Sequence, residues 1–163
     1  MNKAFDVAIV GGGPAGSAAG TLLAKAGRRV VIFEKEKFPR FSVGESTLPA
    51  TLNTLERMGV REKIDQGGFL IKHGGEIVSA CGKCVRFYFR NGFKSKRPTA
   101  YQVLRSEFDR ILLDHAAETG CDVRQQTAVD SFALEDDGVT LTAGNGQQVV
   151  RAKYLIDCSG RNC

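Results

Sequence analysis

A glycine-rich turn and one acid have the types and the spacing to bind a nucleotide: Gly11-x-Gly13-x-x-Gly16, then Glu34 eighteen residues beyond Gly16. Gly11 permits a sharp turn, Gly13 lets the backbone approach a pyrophosphate with no Cβ in the way, and Gly16 lets a helix pack closely on a strand. Pro14 and Ala15 complete the turn. A helix opening there offers unpaired N–H groups and a partial positive charge to phosphates. An acid at the position of Glu34 accepts hydrogen bonds from the adenosine ribose hydroxyls and repels a 2′-phosphate, which disfavours NADP. The turn by itself serves FAD and NAD alike. A second candidate, Cys81-Gly-Lys-Cys84, has the spacing of a metal or redox pair. A structural zinc wants four ligands, and beside these two and His73 no fourth is assigned, so no metal is expected. A redox pair and incidental strand thiols stay open.

These residues need elements to position them. Ala4 to Val10 reads as a short strand, the glycine turn follows at once, and Ser17 to Ala26 reads as an Ala/Leu-rich helix ended by Gly27 in the left-handed conformation. Arg28 to Glu34 restarts as a β-branched strand, so the unit is βαβ with parallel strands and a right-handed crossover. A loop from Glu36 to Glu45 leads to Thr47 as helix N-cap, with Pro49 in the first turn and the helix ending near Gly59. Residues 60–66 add a further turn, Gly68 to Arg90 carries two or three strands, and Tyr101 to Leu104 is a short strand. Ser106 to Thr119 is the second helix, with Ser106 and Asp109 resembling a capping box. Five strand-like runs follow: Cys121–Gln125, Ala128–Leu134, Val139–Thr142, Gln148–Arg151 and Tyr154–Asp157. Turns at Asp136 to Gly138 and Gly144 to Gly146 join three of them into an antiparallel meander. The fold class is α/β: a Rossmann-like sheet with crossover helices and a β-meander.

The chain has 163 residues, 42% hydrophobic and 25% charged, enough to build a core and too apolar for disorder. Nineteen glycines point to loops that approach a ligand. No apolar run is long enough to span a membrane and no signal peptide opens the chain, so the expected location is the cytoplasm. Five irregularly spaced cysteines do not form a secreted disulfide framework. The net charge of +5 comes from one segment, where Lys83, Arg86, Arg90, Lys94, Lys96, Arg97 and Arg105 meet no acid. Val85, Phe87 and Phe89 alternate there with Arg86, Tyr88 and Arg90, as in a strand with one apolar and one basic face. A solvated face, attraction of an anionic cofactor or substrate, and nucleic-acid binding all fit such a segment; no nucleic-acid partner is expected.

The glycine run continues as Gly16-x-x-x-Gly20 to Gly27, with Glu34-Lys35 after it, and resembles the FAD-binding fold of flavoprotein monooxygenases. Further segments resemble one branch of that superfamily: flavin-dependent halogenases, aromatic hydroxylases and geranylgeranyl-reductase-like enzymes. Phe38 to Pro49, with Arg40, Gly44, Glu45 and Ser46, is similar to a strap that in halogenases runs beside the isoalloxazine ring. Gln102 to Asp109 is similar to the strand-then-helix signature whose arginine, here Arg105, approaches FAD. A cation opening a helix is poorly placed for the helix dipole, and a nearby anion would remove that conflict. Val123 to Val129 falls where family members lay adenine on a strand, so Ala128 and Val129 would touch it through backbone groups. Leu155 to Arg161 resembles the family's Asp-Ala-Ser-Gly-Arg, with Cys158 in place of alanine.

Gly68-Phe69-Leu70-Ile71-Lys72-His73-Gly74 looks like the stretch carrying the catalytic lysine of many flavin halogenases. The resemblance implies FAD as cofactor, Lys72 as catalytic residue, and halogenation or aromatic hydroxylation of a small organic substrate through a flavin hydroperoxide. It also implies a flavin reductase supplying reduced flavin. A reductase of isoprenoid double bonds and a non-catalytic nucleotide-binding fragment are the alternatives. The family's Trp-x-Trp-x-Ile-Pro element has no counterpart in a sequence with no tryptophan. Residues 1–163 are therefore expected to be the N-terminal part of an FAD-binding domain, with 60–100 contributing strands toward the substrate side.

Overall fold

The computed structural model describes residues 5–92 and 97–160. Lys94, Lys96, Arg161 and Cys163 lie outside the described residues. In chain order the elements are β1 (Phe5–Val10), α1 (Pro14–Lys25), β2 (Val30–Phe33), α2 (Pro49–Met58), α3 (Arg61–Gln66), β3 (Leu70–Lys72), β4 (Gly74–Val78) and β5 (Cys84–Tyr88). After a 3-10 turn at Phe89–Asn91 come β6 (Ala100–Gln102), α4 (Arg105–Glu118), β7 (Asp122–Arg124), β8 (Val129–Glu135), β9 (Gly138–Ala143) and β10 (Gln148–Asp157). The chain divides into two units, Met1–Phe41 with Asp109–Cys163, and Ser42–Phe108.

The first unit is built on a six-stranded sheet in the order β7-β2-β1-β10-β9-β8. Strands β7, β2, β1 and β10 run parallel, and β8, β9 and β10 form the antiparallel meander. The apolar run Val30-Val31-Ile32-Phe33 is continuous because both faces of β2 are covered. Val31 and Phe33 face a cluster with Phe5, Val139, Leu141 and Val150, while Val30 and Ile32 pack with Val7, Ile9, Leu113 and Ala116. Each such side chain removed from water contributes about 1.5–3 kcal/mol. The βαβ unit, Gly27 beyond the end of α1, and the meander turns stand where the sequence puts them.

Three local readings differ. The runs 148–151 and 154–157 are one strand, β10, which pairs antiparallel with β9 at one end and parallel with β1 along most of its length. Thr47 is not the N-cap of α2. That position is Leu48, and the Thr47 hydroxyl donates to the Tyr101 carbonyl and accepts from the Tyr101 N–H, so it fastens β6 instead. The capping box at Ser106 and Asp109 does not form: α4 begins at Arg105, the Leu104 carbonyl accepts from Glu107 and Phe108, and Asp109 is fully buried against Arg40.

The second unit holds α2, α3 and two two-stranded sheets, β3-β6 and β4-β5. The expected alternation at 85–90 stops at Tyr88, where the chain enters the 3-10 turn and buries Phe89. Val85 and Phe87 stay exposed, since nothing among the described residues of this unit covers the β4-β5 hairpin. Arg86 pairs with Glu76 across it, and Arg90 lies over the Tyr88 ring.

Candidate functional site

The glycine turn separates what the fold demands from what a ligand would demand. Gly11 has φ +101°, and a Cβ there would stand 2.3 Å from the Cys158 carbonyl oxygen. A Cβ on Gly16 would stand 1.9 Å from the Gly11 carbonyl oxygen. Both glycines are required by the chain's own packing. Gly13 is different: φ −66° and ψ −174° are open to any residue, and an added Cβ would meet only the Arg40 guanidinium, at 3.4 Å. The fold does not need a glycine at 13, whereas close approach of a phosphate does. Gly13 is also the N-cap of α1, with no side-chain cap and no acid in the first turn, so the helix opens with N–H groups free for an anion. Pro14 and Ala15 are the first two residues of that helix. These residues fit a pyrophosphate.

Glu34 directly follows β2 and is 4% exposed. Its Oε2 accepts from the Gly12 N–H at 2.8 Å and its Oε1 from the Glu36 N–H at 2.9 Å. A carboxylate has about four lone-pair sites, so capacity for ribose hydroxyls remains. The Arg40 guanidinium lies 4.0 Å from Glu34 and 3.3 Å from Asp109, with its plane over the Phe38 ring at 4.5 Å. One guanidinium thus serves two buried carboxylates beside Gly13. Lys35 is exposed. The Thr127 N–H donates to the Glu34 carbonyl, which brings the start of β8 to this end of β2. Ala128 is exposed, with its carbonyl accepting from Gly144, and Val129 pairs with Ala143 next to a bulge.

In the unit Ser42–Phe108, the strap residues and Lys72 come together. Glu45 accepts at its carbonyl from Val103, and Ser46 bridges to Gln102, fixing residues 45–46 along β6. Lys72, on the neighbouring β3, donates to the Ser46 hydroxyl and to the Thr47 carbonyl at 3.3 Å, with the Phe89 ring 5.6 Å from its ammonium. The exposed Glu45 carboxylate faces Gln102 at 3.4 Å. Arg105 donates to the Val43 carbonyl at 2.7 Å, and its guanidinium lies 3.0 Å from where a Cβ on Gly44, at φ +112°, would be. Carbonyl dipoles therefore offset part of the unfavourable position of Arg105 at a helix start.

Asp109, Thr47 and Cys158 belong to these arrangements through contacts that their local signals do not indicate. Asp109 is 69 residues from Arg40, and Cys158 shapes the turn through its carbonyl, which any residue has. Below the turn, burial and the Asp157 charge raise the Cys158 thiol, and the Ser159 hydroxyl and N–H hold Asp157 below the usual carboxylate range. Among the described residues no three or more His, Cys, Asp or Glu side chains cluster to hold a metal, and no helix is long and apolar enough to cross a membrane.

Comparison with known proteins gives one family match, the FAD binding domain, over residues 4–163. A 1H-pyrrole-2-carbonyl-(peptidyl-carrier protein) chlorinase of Pseudomonas fluorescens is 39% identical across 97% of this chain and 40% of its own length. Among solved structures, the flavin-dependent halogenase CmlS superposes with a TM-score of 0.88 at 40% identity, covering 97% of this chain and 30% of that one. A flavoprotein/dehydrogenase from Cytophaga hutchinsonii gives 0.89 at 34% identity, covering 96% and 40%. The chain spans less than half the length of these relatives.

Proposed function

The chain belongs to the FAD binding domain family, and on that premise we propose that it is the cofactor-holding part of a flavin-dependent halogenase. When bound and reduced, FAD activates O2 and supplies the oxidising equivalent for halide. The free N–H groups of α1 and the open backbone at Gly13 bind the pyrophosphate, with Gly11, Pro14, Ala15 and Gly16 holding the turn in shape. Glu34 would receive the ribose hydroxyls on its remaining lone pairs, Arg40 adds positive charge beside Gly13, and Lys35, exposed next to Glu34, would add another. Ala128 and Val129 flank the adenine. Gly44, Glu45, Ser46 and Arg105 line the strap beside the flavin, and residues 60–100 contribute strands toward the substrate side.

Lys72 is the catalytic residue. Its ammonium hydrogen-bonds hypohalous acid, and its amine form captures halogen and directs it to the substrate. The observation that carries this reading is the grip of Ser46 and Thr47 on Lys72, which ties the lysine to the strap. The substrate is a small aromatic molecule, free or carried on a protein as for the pyrrole chlorinase. A flavin reductase supplies reduced flavin, and the enzyme works in the cytoplasm. In the full-length protein, Lys72→Ala should abolish halogenation and leave the bound-flavin spectrum unchanged; undiminished halogenation overturns the role of Lys72. The similarity to a flavoprotein/dehydrogenase favours a second reading, a reductase, which would turn over without O2 or halide. Assays with and without chloride and O2 separate the two.

A further inference from the structure

The flavin reading leaves Cys81 and Cys84 unused. Both are exposed thiols at the tip of the β4-β5 hairpin. Ser79 and Lys83 close the loop, with the Ser79 N–H donating to the Lys83 carbonyl at 2.9 Å and the Gly82 N–H to the Ser79 carbonyl at 2.9 Å. Gly82, at φ +80°, takes the left-handed position of a three-residue hairpin loop and reverses the chain between the two cysteines.

The thiols have different surroundings. Cys81 Sγ is 3.1 Å from the Ser79 hydroxyl, which also accepts from the Lys83 N–H at 3.1 Å. The hydrogen bond from Ser79 and then the Lys83 backbone hold the Cys81 thiol below its ordinary value. Cys84 opens β5 and donates to the Glu76 carboxylate, and that hydrogen bond raises its thiol. Glu76 is itself anchored by Arg86. One thiol is set up as a nucleophile and the other as a protonated partner hydrogen-bonded to a carboxylate.

From this we infer that Cys81 and Cys84 form a dithiol site that a hydroperoxide oxidises reversibly to an intramolecular disulfide at the hairpin tip. The Cys81 thiolate attacks one oxygen of hydrogen peroxide; an S–O bond forms, the O–O bond breaks, and the departing hydroxide is protonated to water. The sulfur, oxidised by two electrons, is then a sulfenic acid. Cys84 attacks that sulfur; the S–S bond forms, the S–O bond breaks, and the departing hydroxide takes the Cys84 proton and leaves as water. Two thiols and one peroxide thus give one disulfide and two waters, and an added dithiol reverses the change.

The test is peptide mapping of the full-length protein, flavin-loaded and flavin-free, after a short exposure to hydrogen peroxide. Cleavage after glutamate keeps both cysteines in one peptide, 77–107. The expected result is loss of two hydrogens from that peptide, restored by dithiothreitol, with Cys81 alkylated at least about tenfold faster than buried Cys121 before oxidation. Cys84→Ser should stop at a sulfenic acid on Cys81 that dimedone traps, and Cys81→Ser should leave Cys84 reduced. Ser79→Ala, which leaves both thiols in place, should slow Cys81 alkylation. An unchanged peptide, oxidation of Cys84 in Cys81→Ser, or no trapped adduct in Cys84→Ser overturns the site. None of these readouts requires bound flavin, so failure here leaves the cofactor reading untouched.

Discussion

Gly13 and Gly16 are three residues apart and answer to different demands. Gly16→Ala would drive a Cβ into the Gly11 carbonyl and should cost about 3 kcal/mol of folding stability in urea denaturation. Gly13→Ala should change stability by no more than about 1 kcal/mol while weakening flavin retention at least about tenfold, measured by fluorescence on dialysis. Arg40 carries a second test. Arg40→Met leaves Glu34 and fully buried Asp109 without their cation, at a cost of about 3 kcal/mol, and adding Asp109→Asn should recover part of it. The glycines and Glu34 are legible in the sequence because short covalent spacing fixes their geometry. The Arg40–Asp109 pair is not, because a contact over 69 residues exists only once β2 and α4 lie side by side.

At the scale of elements, β6 shows how tertiary partners override local signals. Thr47 has the residue type and the place of an N-cap, yet two hydrogen bonds to the Tyr101 backbone engage its hydroxyl. The same strand places the Tyr101 hydroxyl on Asp65 of α3, which Arg61 also contacts at 3.0 Å. The Tyr101 hydrogen bond, followed by Arg61, holds the Asp65 carboxyl below the usual range. Its folded pKa lies below the unfolded value near 3.9, so its stabilisation is fully present above that pH and is lost as the pH falls through the lowered value. Acid titration should show wild type and Asp65→Asn separated near about pH 6 and converging below about pH 4. Strands of the parallel core were readable from β-branched runs, but the unity of β10 was not. Arg151, Ala152 and Lys153 lack a strong strand pattern and are held by pairing to β9 or packing on β1.

Across the whole molecule, β1 and β2 of the first unit are covered on both faces while β8 and β10 expose Phe132, Leu134, Val149 and Tyr154, and the second unit exposes Leu70, Ile71, Ile77, Val78, Val85 and Leu104. A two-stranded hairpin is marginal by itself and apolar patches of this kind are uncommon on isolated domains. The 163-residue polypeptide should therefore bind a hydrophobic dye such as ANS strongly, and Ile77→Lys with Val85→Glu should reduce that signal without changing far-ultraviolet circular dichroism. Family signals fall in both units because each is a contiguous motif, the nucleotide turn in the first and the stretches around Gly44, Lys72 and Arg105 in the second; which strands of the second unit pair was not readable, since those partners are set by long-range contacts. The pairing of β1 with β10 has a temporal meaning as well. Phe5 aligns with Ala152 and Val10 with Asp157, so β1 waits for a strand far downstream of it in the sequence before its second edge is filled. On the ribosome, β1 and β2 emerge with an open edge that invites mispairing until β10 arrives, and closing so long a loop is an entropic cost that slows folding.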